Sequence, residues 1–296
     1  MKIYILILNW NGWKDTLACL ESIGKIKYKN IKIVICDNAS NDGSVDNIYK
    51  WCIDKNVGVQ IINENEDVIN ESYLTIIKNR SNYGFAGGNN VGVKYISRFS
   101  YDYIWFLNND TVVEPEALKF LLLKSISDKK IGICGSKLIY YDTLKVQALG
   151  GAYDYRLGRC RHIVEEKDMH KIDYIVGASM LVKRQFIEDV GMMNEEYFLY
   201  FEELDWALRA KEKYDIAVAE KSIVFHKEGS SIGAKKNIRN FKADYYTIRN
   251  RLKITRKFFP LWILIVKICA FRRAFTYIRK YEFRNFYTLA KIIIKG

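Results

Sequence analysis

Short apolar segments alternate with segments of helical periodicity along the first half of the chain. The apolar segments are rich in β-branched or aromatic residues and lack polar alternation, which is typical of strands buried on both faces of a sheet. They predict strands at residues 3–8, 31–36, 57–62, 103–107 and 131–138. Between them, apolar residues recur at helical spacing, for example Leu17, Leu20 and Ile23. This alternation predicts an α/β fold with a doubly wound, mainly parallel sheet flanked by helices.

Other segments predict the connections of this fold. The sequence Glu114-Pro115-Glu116 predicts the start of a helix, because proline and carboxylates are favoured in a first turn. Residues 64–73 are acidic and polar without clear periodicity, and they predict a surface excursion.

Polar residues follow three of the predicted strands directly. Ligands of doubly wound sheets bind beyond the carboxyl ends of the parallel strands, so we expect a site at this edge. The polar residues there are Asn9, Asn11, Asp37, Asn38, Asn108, Asn109 and Asp110. Among them, Asp37 could hold the imide N–H of a uracil or thymine ring, or it could cap a loop.

The charge of the chain is unevenly distributed. Of its 47 lysines and arginines, 19 lie in residues 221–296, together with only three of its 34 acids. The upstream part is therefore slightly acidic and the C-terminal part strongly basic. A nucleic-acid enzyme would carry its basic surface around the active site, so the distribution disfavours nucleic acid as a partner. A basic appendage indicates docking onto an anionic surface such as a membrane.

The hydrophobic pattern changes near residue 241. Phe241, Tyr245 and Leu252 mark one face of a basic helix, and Pro260 ends it. Residues 261–271 are apolar apart from Lys267, but they are too few to span the ~30 Å of hydrocarbon in a bilayer. They predict an amphipathic segment in the membrane interface, and the alternative is a helix that packs back on the preceding domain. We therefore predict a domain at 1–232 and a basic, helical, membrane-associating tail at 233–296.

A glycine-rich turn precedes the third predicted helix. Glycines ahead of a helix let the backbone approach a ligand closely, and a helix N-terminus favours anions such as diphosphate. The turn matches no Walker or dinucleotide spacing, so it indicates phosphate binding only weakly. Its candidate residues are Arg80, Asn82, Gly87, Gly88 and Asn89.

Two further sets of residues suggest catalysis. Glu202, Glu203 and Asp205 follow four aromatic or apolar residues at the start of a helix, and apolar walls can raise a carboxyl pKa toward that of a useful base. Ordinary acidic helix caps are the alternative. Asp110 and His226 each follow an apolar run and could bind Mg²⁺ or Mn²⁺, although a lone histidine is more often structural.

Taken in order along about residues 1–232, these motifs resemble the inverting glycosyltransferases of family 2, and especially their rhamnosyltransferase-like branch. That family has the GT-A fold, so the resemblance implies a nucleotide-binding half at 1–110 and an acceptor half at 111–232. The segments that carry it are 7–11, 37–40, 82–92, 107–110, Gly177-Ala178-Ser179-Met180, 201–205 and His226.

The resemblance implies a role for each matched residue. Asp37 corresponds to the acid that binds the pyrimidine, Asn108 and Asp110 to the motif that binds ribose and metal, His226 to a later metal ligand, and Glu203 to the general base. Glu202 and Asp205 would support the base or contact the acceptor. Two departures stand out, because Asn108 replaces the usual first acid and Glu203 is longer than the usual aspartate. The remaining residues expected to bind the nucleotide sugar are Asn9, Asn11, Asn38, Arg80, Asn82, Gly87, Gly88, Asn89 and Asn109.

The implied activity is a metal-dependent single displacement with inversion. The expected donor is a dTDP- or UDP-linked sugar, with rhamnose first, and the expected acceptor is a lipid-linked oligosaccharide of a capsule or O-antigen pathway. The chain would then act in the cytoplasm, peripherally on the inner face of the membrane. A sugar nucleotidyltransferase is an alternative, but residues 9–12 (Asn-Trp-Asn-Gly) lack the glycine-rich, basic loop that it needs. A non-catalytic membrane-binding or nucleic-acid-binding module is the other alternative.

Overall fold

The computed structural model describes residues 1–67, 70–227 and 241–295. In these residues the strands are β1 (Ile3–Asn9), β2 (Ile31–Asp37), β3 (Val59–Asn63), β4 (Leu74–Lys78), β5 (Tyr103–Asn108), β6 (Thr111–Val113), β7 (Ile131–Tyr140), β8 (Val146–Ala148), β9 (Gly150–Asp154), β10 (Arg159–Ile163), β11 (Ser179–Lys183) and β12 (Asp215–His226). The α-helices of the same residues are α1 (Trp13–Ile23), α2 (Ser44–Asp54), α3 (Gly84–Ile96), α4 (Ala117–Ile126), α5 (Arg184–Val190), α6 (Glu202–Ala210), α7 (Phe241–Phe258), α8 (Ile263–Ile278) and α9 (Phe283–Lys295).

One large sheet organises the chain, with the order β3-β4-β2-β1-β5-β11-β7-β12-β6. The strands from β3 to β5 are all parallel. β11 is antiparallel to both of its neighbours, β7 and β12 are parallel, and β6 is antiparallel to β12. The predicted mainly parallel α/β sheet is confirmed.

Helices cover both faces of the sheet, which explains the unbroken apolar runs. On one face, Ile5 of β1 belongs to a core with residues of α1, α2 and α4. On the other face, the next residue, Leu6, belongs to a second core that includes Val93 of α3, Phe186 of α5 and Trp206 of α6. Because neighbouring residues of a strand point to opposite faces, a central strand needs apolar side chains at every position.

The structure differs from the sequence-based elements at a few places. β4 was not predicted, because its five residues form a short apolar run that directly follows the acidic segment 64–73. Within that segment, residues 68 and 69 lie outside the described residues. The helix expected near Pro115 begins at Ala117, with Glu116 at its N-cap position.

The C-terminal helices α7, α8 and α9 share a small apolar core of their own. Ile248, Val266 and Leu289 are buried in it, one from each helix. Asp244 of α7 accepts hydrogen bonds from the guanidinium of Arg273, the shortest at 2.8 Å. The predicted boundary at 232/233 lies outside the described residues. None of the helices that the structure describes is long and apolar enough to cross a bilayer.

Candidate functional site

The carboxyl ends of β1 and β2 bring Asn9 and Asp37 side by side. They are register partners, both are buried, and Asn9 Nδ2 donates to Asp37 Oδ2 over 2.7 Å. Ser40 donates to both oxygens of the same carboxylate, from its amide to Oδ1 and from its hydroxyl to Oδ2. A carboxylate can accept about four hydrogen bonds, so these three leave room for one ligand N–H. The loop-capping role of Asp37 is therefore compatible with pyrimidine binding.

Two other asparagines of this edge hold the loops together. Asn11 donates its amide to Ser40 Oγ and accepts from the amide of Asn41. Asn109 is buried and points beneath the first loop, where its Nδ2 lies 3.1 Å from Thr16 Oγ1 and 3.2 Å from the carbonyl of Gly12. A Cβ at Gly12 would lie 2.6 Å from that Nδ2, so a larger residue there would displace the Asn109 side chain. Both asparagines position the loops around the site.

The glycine-rich start of α3 is closed by the protein itself. Gly84 N donates to Asn82 Oδ1 over 2.9 Å, and Phe85 N donates to the carbonyl of Phe198 over 2.7 Å. Contrary to the sequence-based expectation, these first amides of the helix are not open to an anion.

The other residues predicted from this turn also have internal partners. Gly88 packs so closely that a Cβ would lie 2.8 Å from the side-chain amide atoms of Asn38. Asn38 Nδ2 also donates to the carbonyl of Gly84. Gly87 and Asn89 are buried, and Asn89 bonds back to its own helix. Arg80 is mostly exposed and pairs with Glu64. The contacts of Asn38 with Gly84 and Gly88 fasten α3 to the end of β2.

Asp110 and His226 lie close together, Asp110 just after β5 and His226 at the end of β12. Asp110 Oδ1 lies 3.2 Å from His226 Nε2, yet this buried oxygen makes no hydrogen bond with the part of the chain that the structure describes. The other ring nitrogen, Nδ1, lies 3.0 Å from the amide oxygen of Gln147. If Nδ1–H donates there, Nε2 carries a lone pair directed at the Asp110 side. Two unshared lone pairs this close suit a shared metal ion.

The rest of the metal-binding set is incomplete. Within residues 1–67, 70–227 and 241–295, no group of three or more histidine, cysteine, aspartate or glutamate side chains is placed to hold a metal. Asn108, the last residue of β5, is partly exposed at the same edge. A metal at Asp110 and His226 would therefore need further ligands, such as phosphate oxygens or water.

Glu203 reaches the same edge from the start of α6. It is partly exposed, and its Oε1 accepts from the amide of Gly177 over 3.1 Å. The next residue, Ala178, accepts through its carbonyl from the amide of Asn108 over 3.1 Å. A Cβ at Gly177 would lie 2.6 Å from Glu203 Oε1, so glycine gives the carboxylate its place. Glu203 is thus tied by two hydrogen bonds to the end of β5.

Glu202 and Glu203 are adjacent carboxyls with different surroundings. Glu202 is 2% exposed, and its Oε2 has no hydrogen-bond partner among the residues that the structure describes. Burial, followed by the charge of Glu203, raises the pKa of Glu202 well above its ordinary value. Burial also raises the pKa of Glu203, while the Gly177 amide opposes this rise. Glu202 is therefore enclosed by the protein, whereas the partly exposed Glu203 is the one that can reach a substrate.

Asp205, the third predicted acid, does not face the site. It is fully buried, and its carboxylate accepts from Arg209 Nε over 2.8 Å, Lys257 Nζ over 2.6 Å and the Tyr197 hydroxyl over 3.1 Å. Its expected contact with the acceptor is wrong on geometric grounds, because all of these partners belong to the protein. Asp205 joins α6 to α7.

The segment before Glu202 is strained and is held by α7. Phe198, Tyr200 and Phe201 all have positive φ, between 58° and 74°, which is unfavourable for aromatic residues. Asn250 of α7 is fully buried, and its Nδ2 donates to the carbonyls of Tyr197, Leu199 and Tyr200 over 2.7–3.0 Å. One side chain therefore clamps the segment that positions both glutamates.

The first turn of α7 also covers the start of the site. Lys242 Nζ lies 5.5 Å from the ring centroid of Trp10 and 5.8 Å from that of Phe198, within range of cation–π attraction. Sequence reasoning missed these roles of α7. A signal was present in Asn250, a residue with low helix propensity in the interior of a predicted helix.

The matches to known proteins agree with this geometry. The family model described as "Glycosyl transferase family 2" matches residues 4–191, more than half of the chain. The chain belongs to glycosyl transferase family 2. The resemblance noted in the sequence is thereby confirmed.

Individual relatives are distant. A low-salt glycan biosynthesis hexosyltransferase of Haloferax volcanii is 21% identical over 212 residues, which cover 70% of this chain and 61% of the relative. A dTDP-rhamnosyl transferase of Shigella flexneri is 22% identical over 274 residues, covering 86% and 80%. This family 2 chain thus spans less than two thirds of the first of these relatives.

A solved structure supports the fold. The mannosyltransferase of Pyrobaculum calidifontis, in complex with GDP-Man and Mn²⁺, superposes with a TM-score of 0.59 at 11% identity, covering 98% of this chain and 73% of the other. At this identity the match shows the GT-A fold alone, as predicted.

We expect Glu202→Gln to stabilise the protein more at high pH than at low pH. A carboxyl whose pKa is raised by folding binds protons more tightly in the native state, so the wild type loses stability as the pH rises above the ordinary value of about 4.3. Glutamine does not titrate. The difference in Tm between variant and wild type should be larger at pH 8 than at pH 5. As a control, the exposed Glu116→Gln should show a small effect of opposite sign, because Lys119 lowers the pKa of Glu116.

We expect Asn250→Leu to lower the free energy of unfolding by ~2 kcal/mol or more, because three buried carbonyls lose their donor. The variant should therefore unfold at a lower denaturant concentration. The Glu202–Glu203 segment would also shift, so kcat should fall more than nucleotide affinity. Urea unfolding and nucleotide titration measure the two effects. Asn285→Leu, on the partly exposed side of α9, is the matched control. Wild-type stability in Asn250→Leu would show that the clamp is not needed.

Proposed function

We propose that this chain is an inverting glycosyltransferase that moves a sugar from a nucleoside diphosphate to an acceptor hydroxyl. The observation that carries the proposal is the convergence of Asp37, the Asp110–His226 pair and Glu203 at the carboxyl edge of β1, β2 and β5. These groups come from distant parts of the chain. Family membership supports the same reaction class.

Glu203 acts as the general base in this mechanism. Its burial raises its pKa, which makes its carboxylate a stronger base than an exposed glutamate. It takes the proton of the acceptor hydroxyl while the oxygen attacks the anomeric carbon. The bond to the diphosphate breaks on the opposite face, and the diphosphate leaves with the electron pair. Configuration at the anomeric carbon inverts.

Asp110 and His226 would hold a divalent cation, Mg²⁺ or Mn²⁺, which would offset the charge on the departing diphosphate. The unshared Asp110 oxygen and the His226 nitrogen fit such an ion. The Pyrobaculum calidifontis mannosyltransferase was solved with Mn²⁺, which supports the choice. Asp37 would contact the pyrimidine through its remaining acceptor position.

The donor that we favour is a dTDP- or UDP-linked sugar, with rhamnose as the first candidate. The Shigella flexneri relative, aligned over 86% of this chain, is a dTDP-rhamnosyl transferase. The acceptor that we favour is a lipid-linked oligosaccharide, a precursor of a bacterial capsule or O-antigen.

Glu203→Gln tests the transfer chemistry. We expect sugar transfer to fall by at least ~100-fold, because general-base catalysis contributes about that much, while nucleotide binding survives. Purified protein is incubated with a panel of dTDP and UDP sugars and lipid-linked acceptors, and released nucleotide and product anomer are measured. Near wild-type turnover in the variant would contradict the assignment. Activity with a sugar phosphate and a nucleoside triphosphate would favour the nucleotidyltransferase alternative.

His226→Gln tests the metal site. We expect the Mn²⁺ concentration for half-maximal donor binding to rise about tenfold or more, because a ligating nitrogen is lost. His170→Gln, on an exposed turn, is the control. Unchanged metal titration in His226→Gln would show that the cation binds elsewhere or is not required.

We further propose that α8 and α9 place the protein on the inner, cytoplasmic face of a membrane with anionic lipids. Leu261, Leu264 and Ile268 form a stripe that is 62–93% exposed. The stripe continues into the exposed Arg272, which complements anionic headgroups.

Vesicle flotation tests this docking surface. We expect the wild type to float with vesicles that contain phosphatidylglycerol and less with neutral vesicles. The double variant Leu264→Glu and Ile268→Glu should lose flotation, because it places charge in the apolar stripe. Leu123→Glu, an exposed leucine on α4, is the control. Equal flotation of all three proteins would disprove docking through α8.

A further inference from the structure

The neutral ring of His226 carries one proton and has an acceptor beside each of its two nitrogens. Gln147 Oε1 lies 3.0 Å from Nδ1, and Asp110 Oδ1 lies 3.2 Å from Nε2. A neutral imidazole donates from one nitrogen only and accepts at the other. The position of this single proton therefore decides how Asp110 and His226 can act together.

The two positions of the proton have opposite consequences for a cation. A proton on Nε2 would be shared with Asp110, and this nitrogen would have no lone pair for a metal ion. A proton on Nδ1 is donated to Gln147, so that Nε2 and Asp110 Oδ1 both offer lone pairs to one space. Their separation of 3.2 Å is close to the distance of about 3 Å between neighbouring ligand atoms around octahedral Mg²⁺.

The contacts of the ring favour a proton on Nδ1. The approach of Nδ1 to Gln147 has hydrogen-bond geometry, whereas Asp110 Oδ1 is buried and accepts no hydrogen bond from any residue in the described ranges. A buried carboxylate oxygen in this state is unfavourable unless a cation or a donor is supplied from outside. Gln147 is only 3% exposed, so little water can compete for the Nδ1 proton.

Backbone pairing fixes the distance between Gln147 and His226. Ile139 of β7 pairs with Phe225 of β12 on one edge and with Val146 of β8 on the other. Gln147 follows Val146 and His226 follows Phe225, so the two side chains meet across β7. Because neighbouring strands lie about 4.8 Å apart, this contact needs a side chain as long as glutamine.

The backbone of Asp110 is held beside His226 in the same way. Thr111 of β6 pairs with His226, and the carbonyl of Asp110 accepts from the amide of Lys227 over 3.0 Å. The ladder between β6 and β12 therefore sets the approach of Asp110 to the ring. The position of the ring proton is the variable that remains.

We propose that Gln147 is a positioning residue that keeps the His226 proton on Nδ1 and thereby makes Asp110 and His226 a metal site instead of a hydrogen-bonded pair. Gln147 acts through the imidazole ring and does not touch the ion. The inference rests on the proposed transferase function, because it concerns the metal site of that function.

The tautomer of His226 can be measured without metal, donor or acceptor. The nitrogen chemical shifts of a neutral imidazole distinguish its protonated from its unprotonated nitrogen. The chain has three histidines, so His226→Gln identifies the signals of this ring in a long-range ¹H–¹⁵N spectrum. At a pH of about 8, where imidazole is mainly neutral, we expect the proton on Nδ1 in wild type and on Nε2 in Gln147→Leu.

Binding of Mn²⁺ to the full chain measures the consequence. The free ion is followed by electron paramagnetic resonance, with Mn²⁺ alone and with added dTDP or UDP. We expect Gln147→Leu to weaken Mn²⁺ binding about tenfold or more, because the partner that orients a metal-binding histidine typically contributes that much. Gln147→Glu keeps an acceptor oxygen at the same reach and should bind Mn²⁺ like wild type. Gln60→Leu, the same substitution at a partly buried glutamine of β3, is the control.

Several results would overturn the role of Gln147. A ring proton on Nε2 in wild type would do so, and so would a Gln147→Leu variant that binds Mn²⁺ as tightly as wild type. Equal loss of affinity in Gln60→Leu, or no recovery in Gln147→Glu, would show a general loss of packing instead. If thermal melting shows that Gln147→Leu does not fold, the wild-type tautomer and the Gln147→Glu titration still decide.

Sugar transfer separates this inference from the proposed function. The ring tautomer and the Mn²⁺ affinity need no transfer, so a wild type that transfers no sugar would remove the transferase proposal while these measurements still decide the role of Gln147. A wild type that transfers sugar, with Mn²⁺ affinity unchanged by Gln147→Leu, would overturn that role alone. A wild type that binds no Mn²⁺, with or without nucleotide, would overturn both the metal site and the role of Gln147.

Discussion

The parallel register of β2, β1 and β5 is the constraint on which the site depends. Asn9 pairs with Asp37 across one edge of β1, and Leu8 pairs with Asn108 across the other. β1 is hydrogen-bonded on both edges and buried on both faces. A slip of its pairing by one residue would move every side chain of the strand to the opposite face of the sheet. The polar side chains at these strand ends are therefore held side by side. The groups that we propose to bind the metal and the pyrimidine and to act as the base are all placed at this edge.

The sequence predicts well the features of the site that depend on these buried strands. Unbroken apolar runs identify the buried strands in the sequence, and each run is followed directly by Asn9, Asp37 or Asn108. The proximity of these three residues therefore follows from parallel strand pairing alone. The nearness of Asp110 and His226 came from the family resemblance, since 116 positions separate them in the chain. The roles of Gly84 and Phe85 could not be predicted in this way. Their amides are capped by Asn82 and by the carbonyl of Phe198, and the second contact depends on a distant loop.

A second limit of sequence reasoning concerns acids that look alike. Glu202, Glu203 and Asp205 occupy one helical turn, yet their surroundings separate them completely. Asp205 is paired with Arg209 and Lys257, Glu202 is buried without a full set of partners, and Glu203 alone is partly exposed. Periodicity places all three near a helix start, but only tertiary contacts with α7 and Gly177 determine which carboxyl is accessible.

The position of α7 limits where the chain can be cut into fragments. The family match ends at residue 191, before the two glutamates and before the helix whose Asn250 supports them. The matched portion therefore covers the predicted nucleotide half and much of the predicted acceptor half, whereas both glutamates and α7 lie beyond it. A fragment cut at residue 191 would lose Glu203, His226 and α7 together, and it would keep Asp110 without the partner that the fold brings to it.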